Sequence, residues 1–253
     1  MSFIKDIVYC FNMKETFDVK KLHPLTKILL EKRGLTKEEE IKDFLFPSYE
    51  KHIGDPFLIH GMDKAVDRIL AAISNGEKIA VYSDYDCDGI PGGVLLRTFF
   101  DEIGYPVEMY VPHRHNEGYG VHLHAIDALK EKGITLIITV DLAITNIDEI
   151  AYAKENGIDF IVTDHHLPIH KDTEDGEYDG KGVIAGSYIV PNAISVINSK
   201  QDLCTYHDNM LCGCAVAWKL ACALLVKLRE GDYGEVSEKV KAMPVGYEKW
   251  MLD

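Results

Sequence analysis

The chain has 253 residues, 47% of them hydrophobic, so it can bury one large core or two smaller ones and is not composed like a disordered protein. Its formal net charge of −14 argues against a protein that coats nucleic acid non-specifically, because neutralising phosphates requires clustered Lys and Arg. An enzyme that gathers carboxylates around divalent cations remains compatible with this charge, since the cations neutralise those carboxylates.

The sequence predicts neither a membrane segment nor a secretory segment. Its longest apolar runs stop far short of the roughly 20 residues that a membrane-spanning helix needs. Charged residues such as Lys5 and Asp6 interrupt the N-terminus, so it lacks a secretory core. We therefore expect a cytoplasmic protein, with its six cysteines as reduced and mostly buried thiols.

Residues 1–55 are predicted to form a small N-terminal helical segment. The apolar residues that indicate a helix are Leu22, Leu25, Ile28, Leu29 and Leu30. Thr36 and the Lys-Glu-Glu that follows it match a capping box, which predicts the start of another short helix.

From residue 62 onward, apolar β-branched runs alternate with amphipathic stretches, a pattern typical of βαβ units. The predicted strands are 78–83, 107–111, 136–140 and 160–163. The predicted helices lie near 63–74, 93–103, 122–132 and 146–156. The predicted fold class is therefore α/β, with a Rossmann-like parallel β-sheet flanked by helices.

This α/β domain is expected to span residues 56–253. Its polar, glycine-rich residues 171–182 predict an exposed loop, and residues 211–229 predict a long buried helix. The sequence ends without a clear stop signal, so we expect the domain to be truncated at its C-terminus.

Carboxylates follow the first predicted strand at alternating positions, Asp84, Asp86 and Asp88. Like charges at this spacing repel one another and raise one another's pKa unless cations neutralise them, so such a cluster is costly without a metal. The alternative is an acidic turn before a helix N-terminus, where Asp is favourable. The three carboxylates alone do not decide between these interpretations.

Further polar residues follow the third and fourth predicted strands, namely Asp141 and the triplet Asp164, His165 and His166. Ligands of open parallel sheets bind beyond the carboxyl ends of the strands, so all these side chains are expected at one crevice. Mixed carboxylate and imidazole ligands suit Mn²⁺ or Mg²⁺ better than the thiolate-rich sets of structural zinc. Together the strand ends predict a divalent-metal site.

The same residues carry a family resemblance. DYDCDG at 84–89, TVD at 139–141 and the DHH triplet at 164–166 resemble motifs of the DHH superfamily of phosphoesterases. Flanking segments resemble RecJ-like single-strand-specific 5′ exonucleases: FLFPSYEKHIGDPFLIHGMDKAV at 44–66, PHRHNEGYGV at 112–121, IVPNAISVINSKQ at 189–201 and LCGCAVAWKL at 211–220.

The resemblance implies metal-dependent phosphodiester hydrolysis with two Mn²⁺ or Mg²⁺ ions and single-stranded DNA as substrate, in DNA repair and recombination. It implies that the metal ligands are Asp84, Asp86, Asp88, Asp141, His165 and His166, with Asp141 bridging. All of these except Asp84 are also expected to be catalytic. Arg114 and His115 are expected to hold a substrate phosphate and Tyr119 to stack a base, whereas the alternatives are a solvated loop and a buried ring. A single-strand-binding protein or a helicase is the expected protein partner.

The sequence departs from the family pattern at three places. Ile90-Pro91-Gly92-Gly93 replaces the usual small hydroxyl residues, and Leu-Ala-Ile-Thr follows Asp141 in place of Cys-Gly-Ile. The family's further metal-binding Asp is expected just beyond Asp253. Two alternatives to this function remain: a phosphodiesterase of short oligonucleotides or cyclic dinucleotides, and a non-catalytic replication scaffold.

Overall fold

The computed structural model describes residues 17–172 and 180–252. Its contacts divide the chain into two compact units, Met1–Gly54 and Asp55–Asp253. Residues 1–16, which make up most of the N-terminus that was predicted to lack a secretory core, lie outside the described residues. So does much of the predicted exposed loop at 171–182.

The described part of the first unit is helical. A 3₁₀ turn at Val19–Lys21 precedes helices α1 (Pro24–Lys32), α2 (Glu38–Leu45) and α3 (Tyr49–His52). The predicted capping box at Thr36 is wrong, because α2 is preceded by Lys37, which has no side-chain acceptor for a cap. The Lys37 ammonium instead pairs with Glu40, with 2.8 Å from Nζ to Oε1.

The second unit alternates strands and helices after a 3₁₀ turn at Pro56–Leu58. Its helices are α4 (Met62–Asn75), α5 (Gly89–Glu102), α6 (Leu123–Glu131), α7 (Ile147–Glu155), α8 (Gly213–Glu230), α9 (Glu235–Ala242) and α10 (Tyr247–Trp250). Its strands are β1 (Lys78–Ser83), β2 (Glu108–Tyr110), β3 (Ile134–Val140), β4 (Asp159–Thr163), β5 (Ile169–His170), β6 (Val183–Ala185), β7 (Tyr188–Val190) and β8 (Ser195–Ile197). The four predicted strands and the helices between them are present, with ends displaced by a few residues.

The main sheet has the strand order β2-β1-β3-β4-β8, and each neighbouring pair is parallel. In β1, Val81 lies opposite Met109 on one side and Ile138 on the other. Runs of Val and Ile such as those of β3 are typical of strands that are buried on both faces. The predicted α/β class with a parallel sheet is confirmed.

Helices cover both faces of this sheet because alternate strand residues point to opposite sides. Ile79 and Val81 pack in one apolar cluster with residues of α4, α5 and α8. Ala80 and Tyr82 pack in a second cluster with residues of α6 and α7. The sheet is therefore held between two apolar layers, and its carboxyl edge is left for polar residues.

Several elements of this unit were not predicted, among them the short helices α9 and α10. The strand β8 extends the main sheet, and β5, β7 and β6 form a small antiparallel sheet. Strands of two or three residues carry too little alternation to be distinguished from loops. The predicted long helix is confirmed as α8, although it begins at Gly213 and buries Lys219 among its apolar residues.

The described cysteines are free, but the prediction that most are buried is wrong. Only Cys222 is buried among them, whereas Cys87 and Cys212 are exposed. These two lie in loops at the carboxyl edge of the sheet, where chain segments turn at the surface.

Among the described helices, none combines the length and apolar character needed to cross a bilayer.

Candidate metal centre

Three aspartates follow neighbouring strands at the carboxyl edge of the sheet. The N–H of Asp84, after β1, donates to the carbonyl of Val140 on β3 at 3.1 Å. The N–H of Asp141, after β3, donates to the carbonyl of Thr163 on β4 at 3.0 Å. The N–H of Asp164, after β4, donates to the carbonyl of Ile197 on β8 at 3.1 Å. The sheet ladder thus extends one residue past each strand and fixes the backbone of all three aspartates.

The turn after β1 is closed by Asp86. Its Oδ1 accepts the N–H groups of Asp88 and Gly89 at 2.8 and 2.9 Å. The bond from Gly89 is the main cause that holds the pKa of Asp86 below its usual range. A side chain at position 89 would place its Cβ 2.6 Å from the carbonyl oxygen of Asp84, so this close turn requires glycine.

Asp88 joins this turn to the start of α8. Its Oδ2 accepts the N–H of Gly213 at 2.7 Å, and its Oδ1 accepts the N–H of Cys214 at 2.8 Å. These amides belong to the first turn of α8, where N–H groups have no partner within the helix. The Oδ2 atom of Asp88 is also 3.6 Å from Nε2 of His165. Asp88 therefore faces both the helix and the imidazole.

Asp141 is the most constrained carboxylate of the site. Its backbone has a φ of 64°, a left-handed conformation that Asp tolerates better than most residues. Its side chain is buried, and Oδ1 lies 3.1 Å from Nε2 of His165 yet forms no hydrogen bond to any described residue. Burial, with the charges of Asp88 and Asp86, raises the pKa of Asp141 to about 8.

Asp141 is shared by two groups of close ligand atoms. One group contains Asp84, Asp86 and Asp141, and the other contains Asp141, His165 and His166, with all atoms of a group within 4.8 Å of one another. The Oδ1 atom of Asp84 is also buried and forms no hydrogen bond to a described residue. Burial and the charge of Asp86 raise the pKa of Asp84. Buried, unpartnered carboxylate oxygens that repel one another are what a divalent cation would stabilise.

Asp164 arranges the two histidines that follow it. It is fully buried, and its Oδ1 accepts the N–H groups of His165 and His166 at 2.7 and 3.1 Å and Nδ1 of His166 at 2.8 Å. Its Oδ2 accepts the N–H of Ile144 at 2.9 Å. The bond from Asp164 raises the pKa of His166, whereas burial and the charge of His166 lower that of His165. A neutral His165 suits a metal ligand.

The residues expected to bind substrate lie on the segment between β2 and α6. Arg114 and His115 are exposed, and Cζ of Arg114 is 4.9 Å from the centre of the Tyr85 ring. The hydroxyl of Tyr119 lies 3.2 Å from Nδ1 of His166 and donates to the main-chain carbonyl of Asp141 at 3.4 Å. Tyr119 thus contacts residues of the candidate metal centre, whereas Arg114 contacts Tyr85, the residue between Asp84 and Asp86, and no described contact links His115 to the centre.

Sequence reasoning missed several residues that support the site. The buried Asn198 donates from Nδ2 to the carbonyl of His166 at 2.9 Å. Glu117 accepts the Tyr110 hydroxyl at 2.6 Å and the N–H of His113, and so shapes the loop of Arg114. Asn198 directly follows β8, so the rule that located the aspartates would have found it had β8 been predicted. No sequence signal indicates the role of the Gly213 and Cys214 amides.

Comparisons with known proteins agree with this arrangement. The family model described as "DHH family, N-terminal domain" matches residues 78–244, which include every side chain of the two ligand groups. The Bacillus subtilis single-stranded-DNA-specific exonuclease RecJ is 38% identical over 205 residues, covering 81% of the chain and 24% of that protein. The Escherichia coli protein of the same name is 31% identical over 232 residues, covering 91% of the chain and 36% of that protein.

A solved structure shows the same fold. The crystal structure of an exonuclease RecJ bound to manganese matches with a TM-score of 0.55 and 28% identity, covering 77% of the chain and 46% of the solved one. The RecJ from Thermus thermophilus in complex with Mn²⁺ matches with a TM-score of 0.55 and 24% identity, covering 79% and 24% of the two chains. The chain therefore spans about a quarter of the length of the B. subtilis relative.

Proposed function

Because the chain belongs to the DHH family, we propose that it carries the metal-binding part of a two-metal phosphodiesterase. The observation that supports this proposal is the pair of ligand groups that share Asp141. The buried Oδ1 atoms of Asp84 and Asp141 are acceptors without a donor among the described residues, and their pKa values are raised in part by neighbouring carboxylates. We propose that residues 56–253 form this phosphoesterase domain, with residues 1–55 as a separate helical segment.

The donor set fits two hard cations such as Mn²⁺ or Mg²⁺. Asp84, Asp86 and Asp141 would hold one ion, and Asp141 and His165 would hold the other, with Asp88 beside His165. When bound, two such ions activate a water molecule and neutralise the charge of the scissile phosphate. The predicted role of His166 as a ligand requires a neutral ring that binds through Nε2, because Nδ1 bonds to Asp164.

Other residues of the chain would then orient the substrate. Asp164 fixes the ring of His166 through Nδ1, and its negative charge favours the protonated imidazolium. An imidazolium at the edge of the site can donate to a phosphate oxygen and stabilise its negative charge. The guanidinium of Arg114 can bind a phosphate through two N–H donors, and Tyr119 can stack a base.

The proposed substrate is single-stranded DNA, digested from its 5′ end as by a RecJ-like exonuclease in DNA repair and recombination. Support comes from the relatives, whose names specify single-stranded DNA. The proposal extends to a cytoplasmic location and to a single-strand-binding protein or a helicase as partner.

The first test is Mn²⁺ binding by calorimetry, followed by incubation with a 3′-labelled single-stranded oligonucleotide. We expect about two ions per chain and shortening of the oligonucleotide from its 5′ end. The variant Asp141→Asn is expected to lose at least one ion and at least about 100-fold in cleavage rate, since even substitutions beyond the direct ligands cost 10- to 100-fold. Asn is chosen because it tolerates the left-handed backbone of position 141.

The matched control is Asp67→Asn, which removes an exposed carboxylate on α4. This variant should bind and cleave like the unmodified chain. Absence of Mn²⁺ binding by the unmodified chain would refute the metal site. Metal binding with faster cleavage of dinucleotides than of long strands would favour the alternative phosphodiesterase, and metal binding without cleavage of either substrate would favour the replication scaffold.

A further inference from the structure

We propose that Tyr85 is a positioning residue that holds the guanidinium of Arg114 at the rim of the metal centre, ready for a phosphate of a DNA strand. This inference rests on the proposed function and assigns a role to a residue that supplies no metal ligand. The contact that carries it is the 4.9 Å between Cζ of Arg114 and the centre of the Tyr85 ring. Guanidinium groups within about 6 Å of an aromatic ring are attracted to its face.

Both partners of this contact lie on segments that are held by hydrogen bonds of neighbouring residues. Tyr85 lies between Asp84, whose N–H bonds to β3, and Asp86, whose carboxylate closes the turn. Arg114 follows His113, whose N–H donates to Glu117, and Glu117 also accepts the hydroxyl of Tyr110 on β2. The contact of Arg114 with Tyr85 therefore joins two segments that are each held by hydrogen bonds.

The Tyr85 ring also keeps the guanidinium of Arg114 from forming ion pairs with the nearby carboxylates. Arg114 lies near the carboxylates, because the Tyr85 ring that it contacts belongs to the residue between Asp84 and Asp86. A flexible arginine beside several carboxylates would be drawn into ion pairs with them and would compete with the cations. Stacking on Tyr85 uses the face of the guanidinium and leaves the N–H donors at its edge for a phosphate.

The proposal predicts how Tyr85 variants bind DNA. Tyr85→Leu is expected to weaken binding of a single strand about two- to fivefold, the value of an exposed cation–π contact. Tyr85→Phe keeps the ring and is expected to restore binding. Arg114→Ala should weaken binding more and reduce the salt dependence of log K by about 0.7, the effect of one lost phosphate contact on a single strand. Adding Tyr85→Leu to Arg114→Ala should have no further effect.

Two measurements test these expectations. The first follows the Cδ protons of ¹³C-labelled arginine by NMR in the DNA-free protein, with the Arg114 resonance assigned from Arg114→Lys. The Tyr85 ring current should shift this resonance upfield, and Tyr85→Leu should remove the shift. The second follows fluorescence anisotropy of a 3′-labelled phosphorothioate oligodeoxythymidine, which resists cleavage, in Mn²⁺ at several salt concentrations. Arg97→Ala, which removes an exposed arginine on α5, is the charge-matched control.

The outcomes separate this inference from the proposed function. Absence of the upfield shift would overturn the stacking, whatever the protein binds. A normal shift in a protein that binds no DNA would refute the proposed function and the inference with it. If the unmodified chain shows the upfield shift and binds DNA, but Tyr85→Leu binds DNA equally well, the positioning role alone is overturned. The positioning role is supported if Tyr85→Leu weakens DNA binding, Tyr85→Phe binds like the unmodified chain, and Tyr85→Leu has no effect in the Arg114→Ala background.

Discussion

Asp141 is a residue that destabilises the fold without cations and yet is necessary for the proposed chemistry. It has a left-handed backbone, a buried side chain and a carboxylate oxygen without a hydrogen-bond partner among the described residues. Each of these properties costs free energy in a protein without cations. All three become reasonable if the carboxylate bridges two ions, because strained or unpaired groups are concentrated at functional sites.

The raised pKa of Asp141 leads to a prediction about pH. With a pKa of about 8, the carboxyl keeps its proton at pH 6.5 in the absence of a cation, so a metal ion must displace that proton. The apparent affinity for Mg²⁺ is therefore expected to rise about tenfold per pH unit between 6 and 8 and then to level off. Calorimetry at pH 6.5 in two buffers of different ionisation enthalpy should show about one proton released.

A matched measurement on Asp141→Asn identifies the source of the proton. This variant has no carboxyl at position 141, so any remaining metal binding should release about one proton fewer. An affinity that does not change between pH 6 and 8 in the unmodified chain would contradict the assignment.

Among the elements, the segment between β2 and α6 depends on the carboxylate of Glu117. This carboxylate accepts the hydroxyl of Tyr110, the N–H of His113 and Nε2 of His124. The bond from Tyr110 is the main reason that the pKa of Glu117 falls to about 2, so the group stays ionised at neutral pH. The loop that carries Arg114 is thus shaped by one charged acceptor.

Glu117→Gln is therefore expected to loosen this loop without unfolding the sheet. The neutral amide is a weaker acceptor, and a hydrogen bond to a charged group contributes about 1.5 to 3 kcal/mol. Backbone amides in the loop should exchange hydrogen faster, and single-stranded DNA should bind more weakly, whereas amides of β1 and β3 should stay protected. The exposed Glu131→Gln, at the end of α6, is the control. Unchanged exchange in the loop would show that its order does not depend on Glu117.

Helix α8 shows how packing and site geometry are coupled. A side chain at position 213 would place its Cβ 2.6 Å from Cβ of Asp141, so only glycine allows the helix to start here. The close approach lets the first amides of α8 reach Asp88. The long apolar face of the same helix packs against the sheet. The core thereby fixes the position of a proposed metal ligand.

For the molecule as a whole, the acidic centre is expected to lower the stability of the cation-free protein. The folded-state pKa of Asp141 is raised above its unfolded value, so the folded protein keeps a proton that the unfolded chain loses. Stability associated with this group is therefore present at acidic pH and is lost as pH rises from about 4 to 8. Binding of cations to the folded state restores stability by mass action.

The order of stability of the unmodified chain and Asp141→Asn is expected to invert when cations are added. In EDTA at pH 8, Asp141→Asn should be more stable than the unmodified chain, by about 1 to 3 kcal/mol, and the difference should shrink towards pH 4. With Mn²⁺ at 100 times its Kd, the unmodified chain should gain about 2.7 kcal/mol and the variant much less. Urea unfolding measures both values. Equal stabilities in EDTA at both pH values would contradict the proposed repulsion, and Asp67→Asn should follow the unmodified chain throughout.

Local sequence patterns were enough to predict the α/β class, four of the five strands of the main sheet and the placement of the acids and histidines at strand ends. Hydrophobic runs and their periodicity carry this information locally, because a strand buried on both faces must be apolar along its length. Since ligands bind at the carboxyl edge of a parallel sheet, the same pattern predicts that Asp84, Asp141 and His165 lie close together. The motifs also indicated the family.

Which of these residues share a ligand group, and which support them, follows from the packing of the whole domain and was not predicted from the sequence. Asp164 became an organiser of the histidines, and Asp88 a partner of the α8 amides, because backbone groups distant in the chain supply their hydrogen bonds. The contact between the Arg114 guanidinium and the Tyr85 ring joins loops that follow different strands. Such contacts depend on strand order and helix placement, which are set by packing across the whole domain and leave no periodic trace in the sequence.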